Sequence, residues 1–346
     1  MPVPLDRGDP FARAVRAAWR RLTGGRGVRD EQRRTLIACS GGADSSALVL
    51  ALAAVDPGPV VAHVVHDLRP REQTLADRDS VRGLVAGLGL DYVEAQIAVR
   101  DAAGNAEANA REARYAALER LAGEVGVGFV ATGHHGDDQL ETMLMRLVRG
   151  AGPGGLAGIH PTRALGPVTL VRPMLGVTHA ACEDACGRAG WVWREDATND
   201  DTMRLRAAIR ATVAPELRRL APGLAGRLAR TSELLSGAED VVRERAAALT
   251  GQGDEGRGRW AWARAALASE PGVVVGCTLR GALVQAGVGA DDAAGARIEP
   301  IVRAIREGVD DIATFGFGNA RVTVSGAHIE IYAESGTAPA TGGTDD

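Results

Sequence analysis

The sequence predicts an α/β protein, a parallel sheet with helices on both faces, followed by a smaller and mainly helical domain. Strand-like apolar runs at 35–39, 60–65, 91–99 and 128–132 alternate with helical patterns near 45–55, 73–88, 105–125 and 138–149. Such alternation, at a spacing of roughly thirty residues, is the mark of βαβ units. Polar clusters follow three of these strands, at Ser40, at 66–69 and at 134–141. In parallel sheets ligands gather at those C-terminal strand ends.

Each element has its own signal. Phe11, Val15, Trp19 and Leu22 recur at helical spacing among arginines, which predicts an amphipathic N-terminal helix rather than a signal peptide. In "LIACSGGADSSALVL" (36–50) an apolar strand breaks at two glycines and turns into a helix. After Pro215, Leu217, Leu220, Leu224 and Leu228 mark one helical face, and 234–248 continues in the same way. "GQGDEGRG" (251–258) reads as a loop. A further helix is expected near 298–306, and "ARVTVSGAHIEIYA" predicts a β-hairpin turning at Ser325 and Gly326. The domain boundaries expected are 1–215 and 216–335, with a disordered tail at 336–346. The sequence contains no internal repeats.

The 346 residues are 45% hydrophobic and 24% charged, ordinary for a globular protein, and no stretch is apolar enough to span a bilayer. A cytoplasmic location without membrane association is expected. Cys39, Cys182, Cys186 and Cys277 form no C-x-x-C pair, which excludes zinc-ribbon and redox motifs. Cys182 and Cys186, four apart, are expected to be buried thiols on one helix face. The net charge is −4 and every basic residue is arginine. Any mechanism that needs a lysine of the chain's own is therefore excluded.

A strand ending in Ser40-Gly41-Gly42 and turning into a helix presents free backbone N–H groups, a natural anion site. The glycines allow close approach, and Ser40, Ser45 and Ser46 add hydroxyls. Two glycines alone would be a turn with a serine cap. The full "SGGADSS" after an apolar strand points to phosphate. G-x-x-x-x-G-K-[ST] is absent, so charge must be met by backbone dipoles, arginines and a magnesium ion, for which Asp44 is the obvious carboxylate. Asp138 and Glu141, three apart at a helix start, share one face; helix-dipole complementation is their plainer role. His134 and His135 beside them match no familiar zinc spacing. Arg111 and Arg114 could share a solvated face with Glu107 and Glu112. Between Arg204 and Arg230, seven arginines face the single Glu216, an electrostatic footprint for a phosphate backbone.

"SGGADS" resembles the SGGxDS loop of the N-type ATP pyrophosphatases, the PP-loop superfamily with its adenine-nucleotide α-hydrolase-like fold. "HVVHDLR" (63–69), "AREARYAAL" (110–118), "ATGHHGDDQLETMLMRLVRGAGPGGLAGI" (131–159), "VRPML" (171–175) and "WREDATNDD…RLRAAIR" (193–210) resemble one subfamily, tRNA(Ile)-lysidine synthetase. The likeness covers roughly 30–215. It implies a ligase using ATP, Mg²⁺, free L-lysine and the tRNA(Ile) with a CAU anticodon. The cytidine at the first anticodon position would be adenylated through O2, and lysine would then displace AMP from C2, changing codon reading from AUG to AUA. It implies ATP contacts at Ser40, Gly41, Gly42, Ala43, Asp44, Ser45 and Ser46, with lysine held by Asp138 and Glu141. Arg114 would serve the activated base or α-phosphate, and His66, Arg69, Arg111 and His134 are further active-site candidates. Arg204, Arg206 and Arg210 would contact tRNA, with 216–335 as a tRNA-contacting domain. Ala207 stands where that family usually carries asparagine, and Thr198 replaces a more frequent serine. The oligomeric state stays open, a homodimer being one option. The rival readings are a tRNA thiolase, which would need a persulfide or cluster-bearing cysteine set, and an RNA-binding protein with a vestigial loop.

Overall fold

The computed structural model describes residues 2–55, 58–68, 70–100, 106–194, 204–256, 258–289, 292–293 and 295–333, except for the side chains at 106, 107 and 204. Of the positions singled out above, Arg69, Thr198, the Glu107 and Arg204 side chains and the tail 336–346 lie outside the described residues. The chain divides into two compact units, Met1–Ser236 and Gly237–Asp346.

The first unit runs through α1 (Pro10–Leu22), β1 (Thr35–Ala38), α2 (Ala43–Leu52), β2 (Val60–His66), α3 (Arg71–Leu88), β3 (Asp91–Ile97), α4 (Ala106–Glu124) and β4 (Phe129–Ala131). It continues with α5 (Gly136–Val148), α6 (Pro153–Leu156), β5 (Thr162–Leu165), β6 (Val168–Val171), α7 (His179–Arg188), α8 (Arg204–Ala208) and α9 (Ala214–Leu220), with one π-helical turn, Ile209–Val213, joining the last two. The unit boundary falls within α10 (Leu224–Gly253). The sheet order is β3-β2-β1-β4-β6-β5. All neighbours are parallel except β5 and β6, an antiparallel hairpin turning at Gly166 and Pro167. Strand order reverses between β1 and β4, the switch point at which open α/β sheets bind ligands.

Alternation along the central strands feeds two cores. Ile37, Val61, Ala131 and Val171 face α1, α2, α3 and α7, where Val15, Trp19, Leu48 and Leu84 are buried with Cys182 and Cys186. Leu36, Val60, Val130 and Leu170 face the opposite side, against Tyr115, Leu118 and Leu121 of α4. A parallel sheet covered on both faces requires apolar residues at successive positions, as "TLIA" supplies. The helix α1 begins where the Asp9 carboxylate accepts from Ala12 N at 3.0 Å, and its Trp19 donates to Thr35 Oγ1 at 3.0 Å.

The sequence places a boundary after 215, whereas the compact unit extends to Ser236. Side-chain bonds account for the extension: Arg218 Nη1 donates to Asp137 Oδ1 at 2.9 Å, and Ser232 Oγ donates to the Ala157 carbonyl at 2.5 Å. The predicted helical face over 217–228 is broken between α9 and α10, where Gly223 adopts φ 74°.

The second unit contains β7 (Asp254–Gly256), β8 (Arg259–Ala263), α11 (Arg264–Ala268), α12 (Gly272–Gln285), α13 (Gly295–Glu307), β9 (Ala313–Phe317), β10 (Ala320–Val324) and β11 (His328–Ala333). The expected hairpin is β10 and β11, but it belongs to a five-stranded antiparallel sheet, β7-β8-β11-β10-β9. Its core joins Trp260 and Trp262 of β8 with Leu279 and Leu283 of α12, Ile301 of α13 and Phe317. Residues 251–256, read as a loop from their glycines, complete α10 and open β7 instead. The end of α10 is tied down where Trp262 Nε1 donates to the Leu249 carbonyl at 2.8 Å.

Candidate active site

At the C-terminal ends of β1, β2 and β4 lies a cavity of about 640 Å³, the size of a nucleotide site. Its wall includes Ser40, Gly42, Asp44, Ser45, His66, Arg111, Arg114, His134, Asp138, Arg206 and Arg210.

The loop after β1 is shaped by Gly41, whose φ of 95° is a conformation that residues with a Cβ avoid. Ser45 Oγ accepts from Ser40 N at 3.1 Å and donates to the Gly42 carbonyl at 3.2 Å, which closes the loop over the start of α2. Gly133 lets the β4 loop lie against α2: a Cβ there would come within 3.0 Å of Ser45 N. Gly41 and Ala43 complete the turn, while Ser46 is fully buried behind it. His63 lies below, its Nδ1–H donating to the Cys39 carbonyl at 2.8 Å.

Asp44 projects from the first turn of α2. Its Oδ1 accepts from His179 Nδ1 at 2.7 Å, and its Oδ2 lies 3.5 Å from His135 Nε2. Burial works to raise the Asp44 pKa, but the bonds from His135 and His179 overcome it, so the carboxylate stays ionised well below its usual range. Within α5, His135 is the N-cap, and its Nδ1 accepts from Asp137 N and Asp138 N at 3.2 and 3.3 Å. In the neutral ring the proton is therefore on Nε2. Burial opposes protonation, yet Asp44, Asp138 and Asp137 pull the pKa up to about 9, so a second proton would compete with the cap at Nδ1. Asp138 completes the reciprocal cap, its Oδ2 accepting from His135 N at 3.1 Å.

Asp44, His135 and His179 bring three ligand atoms within 4.8 Å of one another. This trio does not suit a transition metal, because the cap at Nδ1 leaves the Nε2 lone pair of His135 protonated. A hard cation fits better. Asp44 lines the cavity beside the loop after β1, so its carboxylate could meet a hard cation there, while its Oδ2 and that of Asp138 each lie 3.5 Å from His135 Nε2. Magnesium completes its shell with water and phosphate oxygens.

Glu141, one turn along α5, is buried, and arginines take both of its oxygens. Arg206 Nε donates to Oε2 at 2.8 Å, Arg210 Nε to Oε1 at 2.7 Å, and Arg210 Nη2 to Oε2 at 3.0 Å. Burial works to raise its pKa, and the bonds from Arg210 and Arg206 overcome it, holding the carboxyl below its usual value. Asp138 Oδ1 is less engaged, with Arg206 Nη2 at 3.4 Å. Glu141 is absent from the cavity wall that Asp138 lines.

Of the sequence-predicted residues, Ser40, Gly42, Asp44, Ser45, His66, Arg111, Arg114, His134, Asp138, Arg206 and Arg210 line one cavity, Gly41, Ala43, Ser46 and Glu141 are outside its wall, and Arg69 and the Arg204 side chain lie outside the described residues. Local reading of the sequence passed over His179 and Asp137. Asp137 is a knot between helices: its Oδ2 accepts from His179 N at 2.7 Å, and its Oδ1 from Arg218. The signal for Asp137 is "DD" at the start of α5, of which the same-face pairing with Glu141 uses only Asp138. His179 carried none, as its partner Asp44 is far away in the chain. The histidine beside them, His134, is held neutral: burial, then Arg172, Arg111 and Arg114, push its pKa down to about 3. Its Nδ1 shares a 2.9 Å hydrogen bond with Thr132 Oγ1.

A family model described as "PP-loop domain" matches residues 14–217. The tRNA(Ile)-lysidine synthase of Salinispora arenicola is 40% identical over 241 residues, 68% of this chain and 71% of that protein. Those of Salinispora tropica and Bordetella pertussis are 42% and 40% identical, the matches covering 62% and 68% of their lengths. Among solved structures, the U34-tRNA thiolase NcsA from Methanococcus maripaludis with its [4Fe-4S] cluster superposes with a TM-score of 0.55 at 16% identity, over 66% of this chain and 81% of that one. At that identity the likeness is one of fold. The chain belongs to the PP-loop family and, within it, to the tRNA(Ile)-lysidine synthases, a family of ligase-type enzymes.

Proposed function

We propose that the chain ligates free L-lysine to C2 of the cytidine at the first anticodon position of a tRNA(Ile) with a CAU anticodon, using ATP. In the first step the cytidine O2 attacks the α-phosphorus, the O2–P bond forms, and the α–β bridge breaks to release pyrophosphate. In the second, the lysine ε-amine, having lost its proton, attacks C2, and AMP leaves with O2. The observation that carries this reading is one cavity wall shared by the loop after β1, Asp138 and the Arg111–Arg114 face of α4. Backbone N–H groups at the start of α2, with Ser40 and Ser45, would hold phosphates. Mg²⁺ bound with ATP would supply charge neutralisation, and Asp44 is the carboxylate that would hold it. Arg114 would face the α-phosphate as O2 attacks.

The lysine ε-ammonium has a pKa of about 10.4 and must lose a proton to react. A carboxylate whose oxygens are free toward the cavity serves best, and Asp138 is nearer that condition than Glu141. Asp138 would take the ammonium, with Glu141 behind it aligning Arg206. Arg206 and Arg210 would reach tRNA phosphates by exchanging the Glu141 carboxylate for them. A cytoplasmic setting suits these substrates, and among the described residues no helix is long and apolar enough to cross a membrane.

A thiolase reading is weaker. Cys39, Cys182 and Cys186 are buried, and burial raises their pKa values, opposite to what a sulfur carrier needs. The test is tRNA-dependent pyrophosphate release from ATP in the absence of lysine. Release with tRNA(Ile) of CAU anticodon and not with a CAU-bearing methionine tRNA is expected. Release indifferent to the tRNA would remove the cytidine from the reaction.

A further inference from the structure

The basic segment expected to carry RNA is mostly committed within the protein. Arg206 and Arg210 bind Glu141, Arg218 binds Asp137, Arg219 binds Glu216, and Arg227 donates to the carbonyls of Pro222 and Ala221. Positive charge without such partners lies elsewhere. On α4, Arg111 packs over Tyr115 with its guanidinium carbon 5.5 Å from the ring centre, and Arg163 of the edge strand β5 packs over the same ring at 4.5 Å. Behind them Arg172 is buried, its Nη1 donating to the His160 carbonyl at 2.5 Å, and among the described residues its Nε has no partner. Among the described residues none of these three arginines forms an ion pair with a carboxylate. The nearby acid, Glu119, lies against Gly166 rather than Arg163.

Two neighbours register the resulting potential. Burial works to raise the Tyr115 pKa, yet Arg111, Arg172 and Arg114 bring it below its usual value. His134 is driven down by burial and by the same arginines. Like charges gathered without acids repel, and such a cluster is relieved by an anion. Stacking on an aromatic ring also fixes the guanidinium plane, which suits bidentate contact with phosphate. Arg111, Arg114 and Tyr115 line the cavity, whereas the exposed Arg163 does not, so the charge runs outward from the cavity mouth to the sheet edge.

We infer that Arg163, with Arg111 beside it on Tyr115, forms a binding surface for the phosphates of single-stranded RNA flanking the nucleotide that enters the cavity. The inference rests on the tRNA reading above and adds the path by which the strand arrives. ATP phosphates are the other source of the same chemistry, and Arg163 separates the two because it stands outside the cavity.

The experiment measures binding of labelled tRNA(Ile) to the full chain across a salt series, with ATP binding measured separately without tRNA. For a single strand each phosphate contact contributes about 0.7 to the log–log salt slope. Arg163→Ala should flatten the slope by about 0.7, and Arg163→Glu by at least as much with a larger loss of affinity. Arg163→Lys should restore it, and ATP affinity should be unchanged in all three. An unchanged slope in both the Ala and Glu variants would overturn the surface, as would a parallel loss of ATP affinity. If the wild type released no pyrophosphate with tRNA yet its salt slope depended on Arg163, the surface would stand and the ligase reading would fall.

Discussion

Replacing Glu141 with Gln tests the arrangement around the second carboxylate. The wild-type side chain, 4% exposed, accepts the three charge-assisted bonds from Arg206 and Arg210. Glutamine keeps one oxygen but turns an N–H₂ toward a guanidinium, so one arginine is left opposed. Removing one partner of a buried ion pair costs about 3–5 kcal/mol. Here the arginines are 29% and 41% exposed and recover water, which reduces the loss to about 2 kcal/mol. That equals a roughly 30-fold increase in local opening of 204–213, at 1.4 kcal/mol per tenfold. Hydrogen exchange over α8 and the π-helical turn would show it. With ATP and cognate tRNA the variant should still release pyrophosphate while labelled lysine incorporation falls, since Arg206 also holds Asp138, the carboxylate that would take the ammonium after adenylation. Unchanged exchange would refute the anchoring role. An equal fall of pyrophosphate release and lysine transfer would assign the carboxylates to ATP or metal.

Asp44→Ala should lower tRNA-dependent pyrophosphate release by about 10²-fold, the scale of losing a preorganised electrostatic group; near-wild-type release would remove Asp44 from the phosphate site. His179→Leu deletes the charge-assisted bond to Asp44 and should reduce the same rate about tenfold, while His179→Asn, which can donate from a similar place, should recover most of it. Equal losses in both variants would make His179 a packing residue. Glu141 has a depressed folded-state pKa, so its stabilisation is fully present above the ordinary value of 4.5 and fades as pH falls through the lower folded value. Protease cleavage within 204–213 should accordingly stay slow down to pH 4.5 and accelerate only below it; acceleration at higher pH would contradict the pairing.

Local pattern made much of the catalytic unit legible. The strand, glycine turn and helix at 36–50 are adjacent in sequence, and period and punctuation both mark them. The β5–β6 hairpin was missed because its strands are four residues each and their turn, Gly166-Pro167, carries no alternating flanks. In the second unit the β10–β11 turn was readable, while β8 joins β11 across the intervening helices, a pairing that nothing local announces. The site divides the same way. Asp138 and Glu141 stand out as a same-face pair on one helix, but whether a carboxylate faces a cavity or an arginine depends on Arg206 and Arg210, which arrive from a distant segment. Counting arginines along 204–230 measures charge without its partners, whereas among the described residues Arg111, Arg163 and Arg172 form no ion pair with a carboxylate.

Lysine transfer to an adenylated cytidine is tested by incubating the chain with ATP, labelled lysine and tRNA(Ile) of CAU anticodon. Label should enter the tRNA at the first anticodon nucleotide, with one AMP and one pyrophosphate released for each lysine incorporated. ATP cleavage without label in the tRNA, or label that appears without AMP, would contradict the account.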